Sequence, residues 1–152
     1  MRTVLITGAS GGLAQEMVKL LPDDQLILLG RDKEKLAQLY GNHPQAELVE
    51  MDITDAQALE DLVAELYQRY GKIDVLINNA GYGIFEDFDK ISNKDIHQMF
   101  EVNTFALMNL SRLVASRMKE IRKGHIINIV SMAGLIATGK SSLYSATKFA
   151  AI

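Results

Sequence analysis

Residues 4–14 read VLITGASGGLA, three apolar residues followed by a glycine-rich turn and then by the start of a helical pattern. Glycines in such a turn permit a tight bend and close approach of the backbone to a diphosphate, and the next helix offers unpaired amides at its N-terminus. The residues that we expect at this ligand are Gly8, Ser10, Gly11, Gly12 and Leu13. Because the spacing departs from the strict G-x-G-x-x-G, a glycine-rich turn without a ligand is the alternative.

Outward from that stretch, short apolar runs alternate with longer helical patterns, which is typical of parallel βαβ units. We predict strands over residues 3–7, 25–30, 47–51, 75–78 and 125–130 and helices over residues 12–21, 33–40, 55–70 and 93–121, with a last helix that begins near Ser142. Right-handed crossovers then give the strand order 3-2-1-4-5. The sequence therefore predicts an α/β fold, a doubly wound parallel sheet in one domain over residues 1–152.

Composition sets the outer limits on function. The 152 residues are 48% hydrophobic, enough for one core, and the net charge of -3 offers no basic surface for nucleic acid. Because the chain has no cysteine and its histidines are scattered, we expect no disulfide and no metal site. The N-terminal apolar run is too short for a signal peptide or a membrane span, so a cytoplasmic protein without membrane contact is the expectation.

A second candidate ligand loop follows the fourth predicted strand, where residues 78–81 read NNAG. Asparagine side chains bond to neighbouring backbone in turns, and a glycine lets a flat ring approach. An ordinary asparagine turn is the alternative. Since the loops after strands 1 and 4 flank the point where the strand order reverses, Asn79, Ala80 and Gly81 are expected at a bound dinucleotide.

Tyr144 and Lys148 are four residues apart, so on a helix they share one face. A free tyrosine has a pKa of about 10, and a lysine cation one turn away favours the phenolate, which makes the pair a candidate proton-transfer site. Ser131 follows the fifth predicted strand, and Asn103 lies inside the long predicted helix. Each of the four has a plain alternative: a surface tyrosine, a solvated lysine, a turn serine and a polar helix residue.

Residues 134–141, GLIATGKS, match the phosphate-loop pattern G-x-x-x-x-G-K-[ST] of nucleotide triphosphatases. Two observations count against this alternative: three residues separate Val130 from the first glycine, and no apolar strand ends in an aspartate placed to hold magnesium. Ser145 and Lys148 also match the S-x-x-K pattern of serine acyl enzymes, but the companion motifs are missing.

In order and spacing, the two glycine-bearing loops, Asp52, Asn103, Ser131 and the Tyr144-x-x-x-Lys148 pair resemble the short-chain dehydrogenase/reductase family. The resemblance covers the whole chain and implies a Rossmann-like fold. One departure is an alanine at position 14, where the family commonly has a third glycine; alanine is tolerated there.

The resemblance also implies a function, hydride transfer between a nicotinamide cofactor and a small-molecule alcohol or carbonyl substrate. Tyr144 would be the proton donor and acceptor, and Lys148 would modulate it and hold the nicotinamide ribose. Ser131 would polarise the substrate carbonyl, and Asn103 would hold a water of the proton relay. By the same resemblance, Asp52 and Ile53 would border the adenine.

The choice of cofactor depends on the end of the second strand, where Gly30 is followed by Arg31 and Asp32. An arginine there can pair with a 2′-phosphate, whereas a carboxylate would bind the ribose hydroxyls of NAD. We expect Asp32 to cap the next helix and therefore predict NADP(H) in preference to NAD(H), with NAD as the alternative.

Three further expectations concern the protein as a whole. The long helix is apolar on more than one side, which favours a homo-oligomer. By resemblance, segments after the catalytic helix complete the substrate pocket, so the C-terminal part of the family fold is expected to be absent here. A chain of these 152 residues alone is then expected to bind cofactor weakly and to turn over little. A non-catalytic dinucleotide-binding module or sensor is the alternative function.

Overall fold

The computed structural model describes all 152 residues, and it confirms the predicted alternation of strands and helices. Five parallel strands form one sheet in the order β3-β2-β1-β4-β5. The strands are β1 (Thr3–Ile6), β2 (Gln25–Gly30), β3 (Ala46–Glu50), β4 (Val75–Asn78) and β5 (His125–Asn128). The helices are α1 (Gly12–Lys19), α2 (Lys33–Tyr40), α3 (Ala56–Tyr70), α4 (Asn93–Phe100), α5 (Ala106–Ile121) and α6 (Ser142–Phe149).

Two apolar clusters cover the two faces of the sheet. Because successive strand residues point to opposite faces, Leu5 joins a cluster with α3 and α5, whereas Val4 and Ile6 join one with α1 and α2. Every residue of β1 and β4 is buried, as expected for parallel strands with helices on both faces. The packing leaves the carboxyl ends of the strands for a ligand.

Two buried carboxylates, Asp24 and Asp74, form hydrogen bonds and ion pairs at the amino ends of the strands. Asp74 Oδ2 accepts the Thr3 N–H at 2.8 Å and lies 2.9 Å from the Lys72 ammonium. Burial raises the pKa of Asp74, but the bonds from Lys72 and from Thr3 outweigh it, and the pKa is lowered. At the same end, the Arg2 guanidinium donates to Asp24 and lowers its pKa.

Local sequence explains where several helices begin and end. The predicted cap of α2 forms, since Asp32 Oδ1 accepts the Lys35 N–H, and at the start of α3 Asp55 Oδ1 accepts the Ala58 N–H in the same way. Asp55 is thus the cap of α3 and not its first residue. Gly71 ends α3 in the left-handed region, with φ of 75°.

The prediction of one continuous α-helix over residues 93–121 is wrong in its middle. A π-helical segment, Glu101–Phe105, separates α4 from α5. The predicted fifth strand also ends two residues early, at Asn128 in place of residue 130, because its neighbour β4 ends at Asn78 and leaves no ladder partner beyond.

Two classes of feature are missing from the structure. None of its helices combines the length and the apolarity that a membrane crossing requires. No group of three or more histidine, aspartate or glutamate side chains is arranged to hold a metal ion.

Candidate active site

The loops after β1 and β4 are joined at the carboxyl edge of the sheet. Thr7 Oγ1 accepts the N–H groups of Asn79 and Ala80, both at 3.0 Å, and Asn79 Nδ2 donates to the Gly8 carbonyl at 3.1 Å. Gly8 has a φ of +62°, and a Cβ at this position would lie 2.7 Å from the Ala80 Cα. Only glycine therefore fits at Gly8, for both its backbone conformation and its packing.

The N-terminus of α1 lies open beside these loops. Its cap residue is Gly11, and no side chain accepts a hydrogen bond from the first turn. A Cβ on Gly12 would meet no atom within 4 Å. The unpaired N–H groups and the positive end of the helix dipole thus face free space, which suits a phosphate.

These loops line a cleft of about 500 Å³ together with the ends of β2 and β3. All the residues predicted to contact the cofactor, apart from Tyr144 and Lys148, line it: Gly8, Ser10, Gly11, Gly12, Leu13, Arg31, Asp52, Ile53, Asn79, Ala80 and Gly81. The structure thus brings together residues that are up to 73 positions apart in the sequence, as the 3.0 Å bond from Ala80 to Thr7 illustrates.

Charged side chains occupy the β2 end of the cleft. Arg31 is exposed, whereas the Asp32 carboxylate is engaged in capping α2. Asp52 accepts hydrogen bonds from the side chain and the N–H of Thr54, and these bonds, with a smaller contribution from Arg31, lower its pKa. This part of the cleft presents a free guanidinium to a ligand.

Lys148 lies on α6, with its ammonium close to Gly81 of the cleft. Its side chain is buried, and its Nζ donates to the Ile129 carbonyl at 3.2 Å. The same nitrogen lies 5.7 Å from the centroid of the Tyr144 ring, and it would be 2.9 Å from a Cβ placed on Gly81. Burial lowers the pKa of Lys148. The predicted Tyr144 and Lys148 pair therefore shares one face, next to a glycine of the cleft.

Asn103 lies in the π segment and is fully buried. Its Oδ1 accepts the Tyr82 N–H at 3.0 Å, and its Nδ2 donates to the Tyr82 carbonyl at 2.8 Å and to Thr147 Oγ1 at 3.1 Å. Both amide hydrogens are thus used inside the protein. Through these hydrogen bonds Asn103 connects the loop after β4 with α6.

Ser131 follows β5 in an uncommon backbone conformation, with φ of 65° and ψ of 164°. It is exposed, and its Oγ accepts the Ala133 N–H at 3.4 Å; it makes no hydrogen bond to Tyr144. The Tyr144 ring contacts Phe85 instead, edge to face, with centroids 5.2 Å apart. The serine hydroxyl is therefore held weakly, with its hydrogen free to donate.

Comparison with known proteins agrees with this geometry. The family model for short chain dehydrogenases matches residues 2–152. The chain belongs to the short-chain dehydrogenase family.

Relatives and solved structures with similar chains lie within the same family. The ketoacyl reductase HetN of Nostoc is 36% identical over 153 residues, which cover 97% of this chain and 53% of that protein. A short-chain dehydrogenase from Streptomyces avermitilis superposes with a TM-score of 0.93 at 32% identity, covering 98% of this chain and 56% of the other. A metagenomic short-chain oxidoreductase in complex with NADP superposes with a TM-score of 0.90 at 29% identity, covering 98% of this chain and 71% of the other. The chain thus spans about half to two thirds of the curated relatives that it matches, as the values of 62% and 53% show.

The phosphate-loop alternative finds no support in the dehydrogenase fold. Its first glycine, Gly134, belongs to a short 3-10 turn, Met132–Gly134, and does not leave a strand directly. The Lys140 ammonium lies 3.8 Å from Asp87, and the Ser141 hydroxyl is buried and donates to the Thr138 carbonyl at 2.8 Å. Neither side chain is placed for a nucleotide or for magnesium.

Sequence reasoning missed several residues that line the cleft, among them Lys35, Tyr82 and Val102. Lys35 had a usable signal, since it lies in the first turn of the helix that begins at the end of β2. Tyr82 also had one, because it follows Gly81 directly. Val102 had none, since it reaches the cleft from the π segment, which no local pattern predicted.

Proposed function

We propose that the protein is an NADP(H)-dependent oxidoreductase that interconverts an alcohol and a carbonyl compound. The observation that carries this proposal is the position of Lys148, whose buried ammonium lies 5.7 Å from the Tyr144 ring and against Gly81 of the cleft. Membership of the dehydrogenase family supports it. A site for proton transfer therefore adjoins a site that suits a dinucleotide.

The residues present fit a dinucleotide. The uncapped first turn of α1 and the bare surface of Gly12 suit its diphosphate, and Gly8 could not carry a side chain without meeting Ala80. In this proposal Asp52 and Ile53 border the adenine, and Asn79, Ala80 and Gly81 border the ring at the other end. When bound, the nicotinamide supplies or accepts the hydride.

Charges at the β2 end support NADP(H) over NAD(H). Arg31 and Lys35 line the cleft there, and both are exposed. Asp32, the carboxylate that follows the end of β2, is engaged as the cap of α2. A 2′-phosphate would thus meet two cations, and a charge-assisted bond from Arg31 suits its geometry.

The proton chemistry is assigned to residues of α6 and of the turn after β5. In carbonyl reduction the Tyr144 O–H bond breaks and its proton moves to the substrate oxygen, while the Lys148 cation stabilises the phenolate that remains. The Ser131 hydroxyl donates a hydrogen bond to the same oxygen and polarises the carbonyl. Because both amide hydrogens of Asn103 are used, a relay water held by Asn103 would bind one of its oxygens.

The surroundings of Tyr144 favour a substrate with an apolar portion. Phe85 contacts the Tyr144 ring and is 62% exposed. Between Ser131 and Tyr144 the chain exposes Met132, Leu135 and Ile136. An aromatic or aliphatic group beside the reacting carbon would cover such side chains.

The proposal includes a homo-oligomer. Phe105 and Met108 are more than half exposed, at 52% and 55%, on the helix that the sequence predicted to need a second partner. A second copy would cover this apolar surface.

The test is a binding and turnover experiment on the full-length protein. We expect NADPH to bind more tightly than NADH, and NADPH to be oxidised with some member of a panel of aryl and alkyl ketones. Tyr144→Phe should keep NADPH binding and lower turnover about 100- to 10,000-fold. Arg31→Ser should weaken NADPH binding about 10- to 100-fold and leave NADH binding unchanged.

Lys33→Ala provides the matched control, because Lys33 is an exposed cation on the first turn of α2 that does not line the cleft. It should alter neither binding constant. Retained binding without turnover for any ketone or alcohol would favour a dinucleotide sensor. Absence of binding to either cofactor would reject the proposal as a whole.

A further inference from the structure

Two buried threonines join the π segment to α6. Thr104 is 2% exposed and Thr147 is 0% exposed. Thr147 Oγ1 donates to the Tyr144 carbonyl at 2.7 Å and accepts from Asn103 Nδ2 at 3.1 Å. Thr104 Oγ1 donates to the Thr147 carbonyl at 3.1 Å. A continuous set of hydrogen bonds thus leads from Thr104 and Asn103 to the backbone of Tyr144.

The π segment makes this arrangement possible. In a regular α-helix, side chains of adjacent residues point about 100° apart, so two neighbours do not face the same partner. Asn103 and Thr104 are adjacent, yet both bond to Thr147. The wider turn of Glu101–Phe105 therefore presents two consecutive polar side chains to one residue of α6.

Thr104 also satisfies a backbone group that α6 cannot satisfy itself. The last four carbonyls of a helix lack partners within it. The Ala151 N–H donates to the Lys148 carbonyl at 3.1 Å and not to that of Thr147. The Thr104 hydroxyl donates to the Thr147 carbonyl where the Ala151 N–H would do so in a longer helix. Just beyond the helix, Asn128 Nδ2 donates to the Ala151 carbonyl at 3.2 Å. An eight-residue helix depends on such tertiary contacts for its stability.

We infer that Thr147, supported by Thr104, is a positioning residue that holds Tyr144 and Lys148 at the edge of the cleft. Thr147 immediately precedes Lys148, and its hydroxyl binds the backbone of Tyr144, so it fixes both ends of the proton-transfer pair relative to the π segment. Its catalytic consequence rests on the proposed function. The placement of Lys148 itself does not.

The catalytic test compares Thr147→Val with Thr147→Ser in the full-length protein. Valine keeps the shape and removes the hydroxyl, and small displacements of catalytic groups lower rates strongly, so we expect kcat to fall about 10- to 100-fold. KM for NADPH should rise by a smaller factor than kcat falls, because the cleft loops keep their contacts and Lys148 is the one cofactor-binding residue that the change displaces. Serine should restore most of kcat, and Thr104→Val should give a smaller loss.

Thr3→Val is the matched control. Thr3 is also a buried threonine, 5% exposed, but it lies at the opposite end of the sheet, and its hydroxyl makes no hydrogen bond within the chain. It should leave kcat unchanged. A Thr147→Val protein that is less stable but retains wild-type kcat would overturn the inference, because the threonine would then serve folding alone.

A second readout needs no turnover and separates this inference from the proposed function. The NMR signal of the lysine carbon Cε, assigned with Lys148→Met, reports the titration of Lys148 in the protein without cofactor. Burial lowers this pKa, so a loosened α6 that lets water reach the ammonium should move the midpoint upward in Thr147→Val. An unmoved midpoint would contradict the inference even if no substrate is ever turned over.

Discussion

The half of the site expected to bind the cofactor and the half expected to carry the chemistry are built in different ways. The first is made of backbone: Gly8, Gly12 and the uncapped first turn of α1 form a surface from which side chains are missing. The second is made of side chains, and two of its four residues, Asn103 and Lys148, are buried and held by hydrogen bonds across the fold. Added atoms should therefore damage the first half, and removed atoms the second.

The two halves therefore also depend on different interactions for their contribution to the free energy of unfolding. A glycine loop depends on backbone conformations that other residues adopt only with strain. Buried polar groups depend on complete pairing, since each one left without a partner destabilises a protein by about 1–3 kcal/mol. The predictions that follow test the two dependences separately.

The largest effect is expected at Gly8. Gly8→Val combines a β-branched side chain at a φ of +62° with a contact of 2.7 Å to the Ala80 Cα. Strain and overpacking together should lower the free energy of unfolding by roughly 3–5 kcal/mol, measured by urea denaturation. Gly139→Ala is the matched control, because a Cβ there meets nothing within 4 Å, and it should stay within about 0.5 kcal/mol. Similar values for the two variants would show that the glycine loop is not sterically constrained.

The next effect is expected at Asn103. Asn103→Ala removes the partners of the Tyr82 N–H and carbonyl and of the Thr147 hydroxyl, so it should lower the free energy of unfolding by about 2–3 kcal/mol. The control is Asn109→Ala, since Asn109 is half-buried on α5 and its side chain bonds only Arg112, one turn away. Its change should remain within about 0.5 kcal/mol. Equal losses in a urea titration would mean that the buried network contributes no more than a surface bond.

The two halves also differ in how far the sequence predicts them. The glycine loop was predictable because strand, turn and helix signals are local, and the five residues predicted there all line the cleft: Gly8, Ser10, Gly11, Gly12 and Leu13. Asn103 could be singled out by its spacing in the family motif, but its partners could not, since Tyr82 is 21 residues away and Thr147 is 44. Such contacts depend on how helices pack, and a local pattern carries no information about them.

The π segment is the clearest limit of the sequence reasoning. Residues 93–121 have a helical pattern throughout, and nothing in it distinguishes Glu101–Phe105. The segment coincides with hydrogen bonds from Asn103 and Thr104 to Thr147 of α6, which lie outside any local pattern. The early end of β5 has a similar origin, since it follows from where β4 stops.

A smaller effect is expected at the amino end of the sheet, where charge stabilises the fold. The pKa of Asp74 is lowered in the folded protein, so its stabilisation is present above its ordinary value of 3.8 and is lost as pH falls through the folded value. Asp74→Asn should therefore be less stable than wild type at about pH 7, by about 1 kcal/mol, and the difference should vanish near about pH 2. Urea unfolding across this range measures it. A difference that does not depend on pH would mean that the carboxylate charge is not involved.

The smallest effect on stability is expected at Lys148. Its sign is opposite to that at Asp74, because the charged form of Lys148 destabilises the folded protein. Burial lowers the pKa of Lys148 in the folded protein from its ordinary value of 10.5, so the unfolded chain binds more protons between the two values, and stability rises with pH there. Below the folded-state pKa the penalty of the buried ammonium is present in full. Lys148→Met removes this penalty together with the bond to the Ile129 carbonyl. Its stability relative to wild type should therefore be greatest at about pH 6 and should decline toward about pH 10, as followed by urea unfolding.

Lys148→Arg is the control, because an arginine keeps its charge over this range. Its difference from Lys148→Met should change little with pH, whereas the difference between wild type and Lys148→Met should change. If wild type and Lys148→Met instead keep a constant difference, the ammonium is hydrated and not buried. Burying Lys148 would then carry no penalty in folding free energy. The contacts between α6 and the π segment would not be needed to offset its charge.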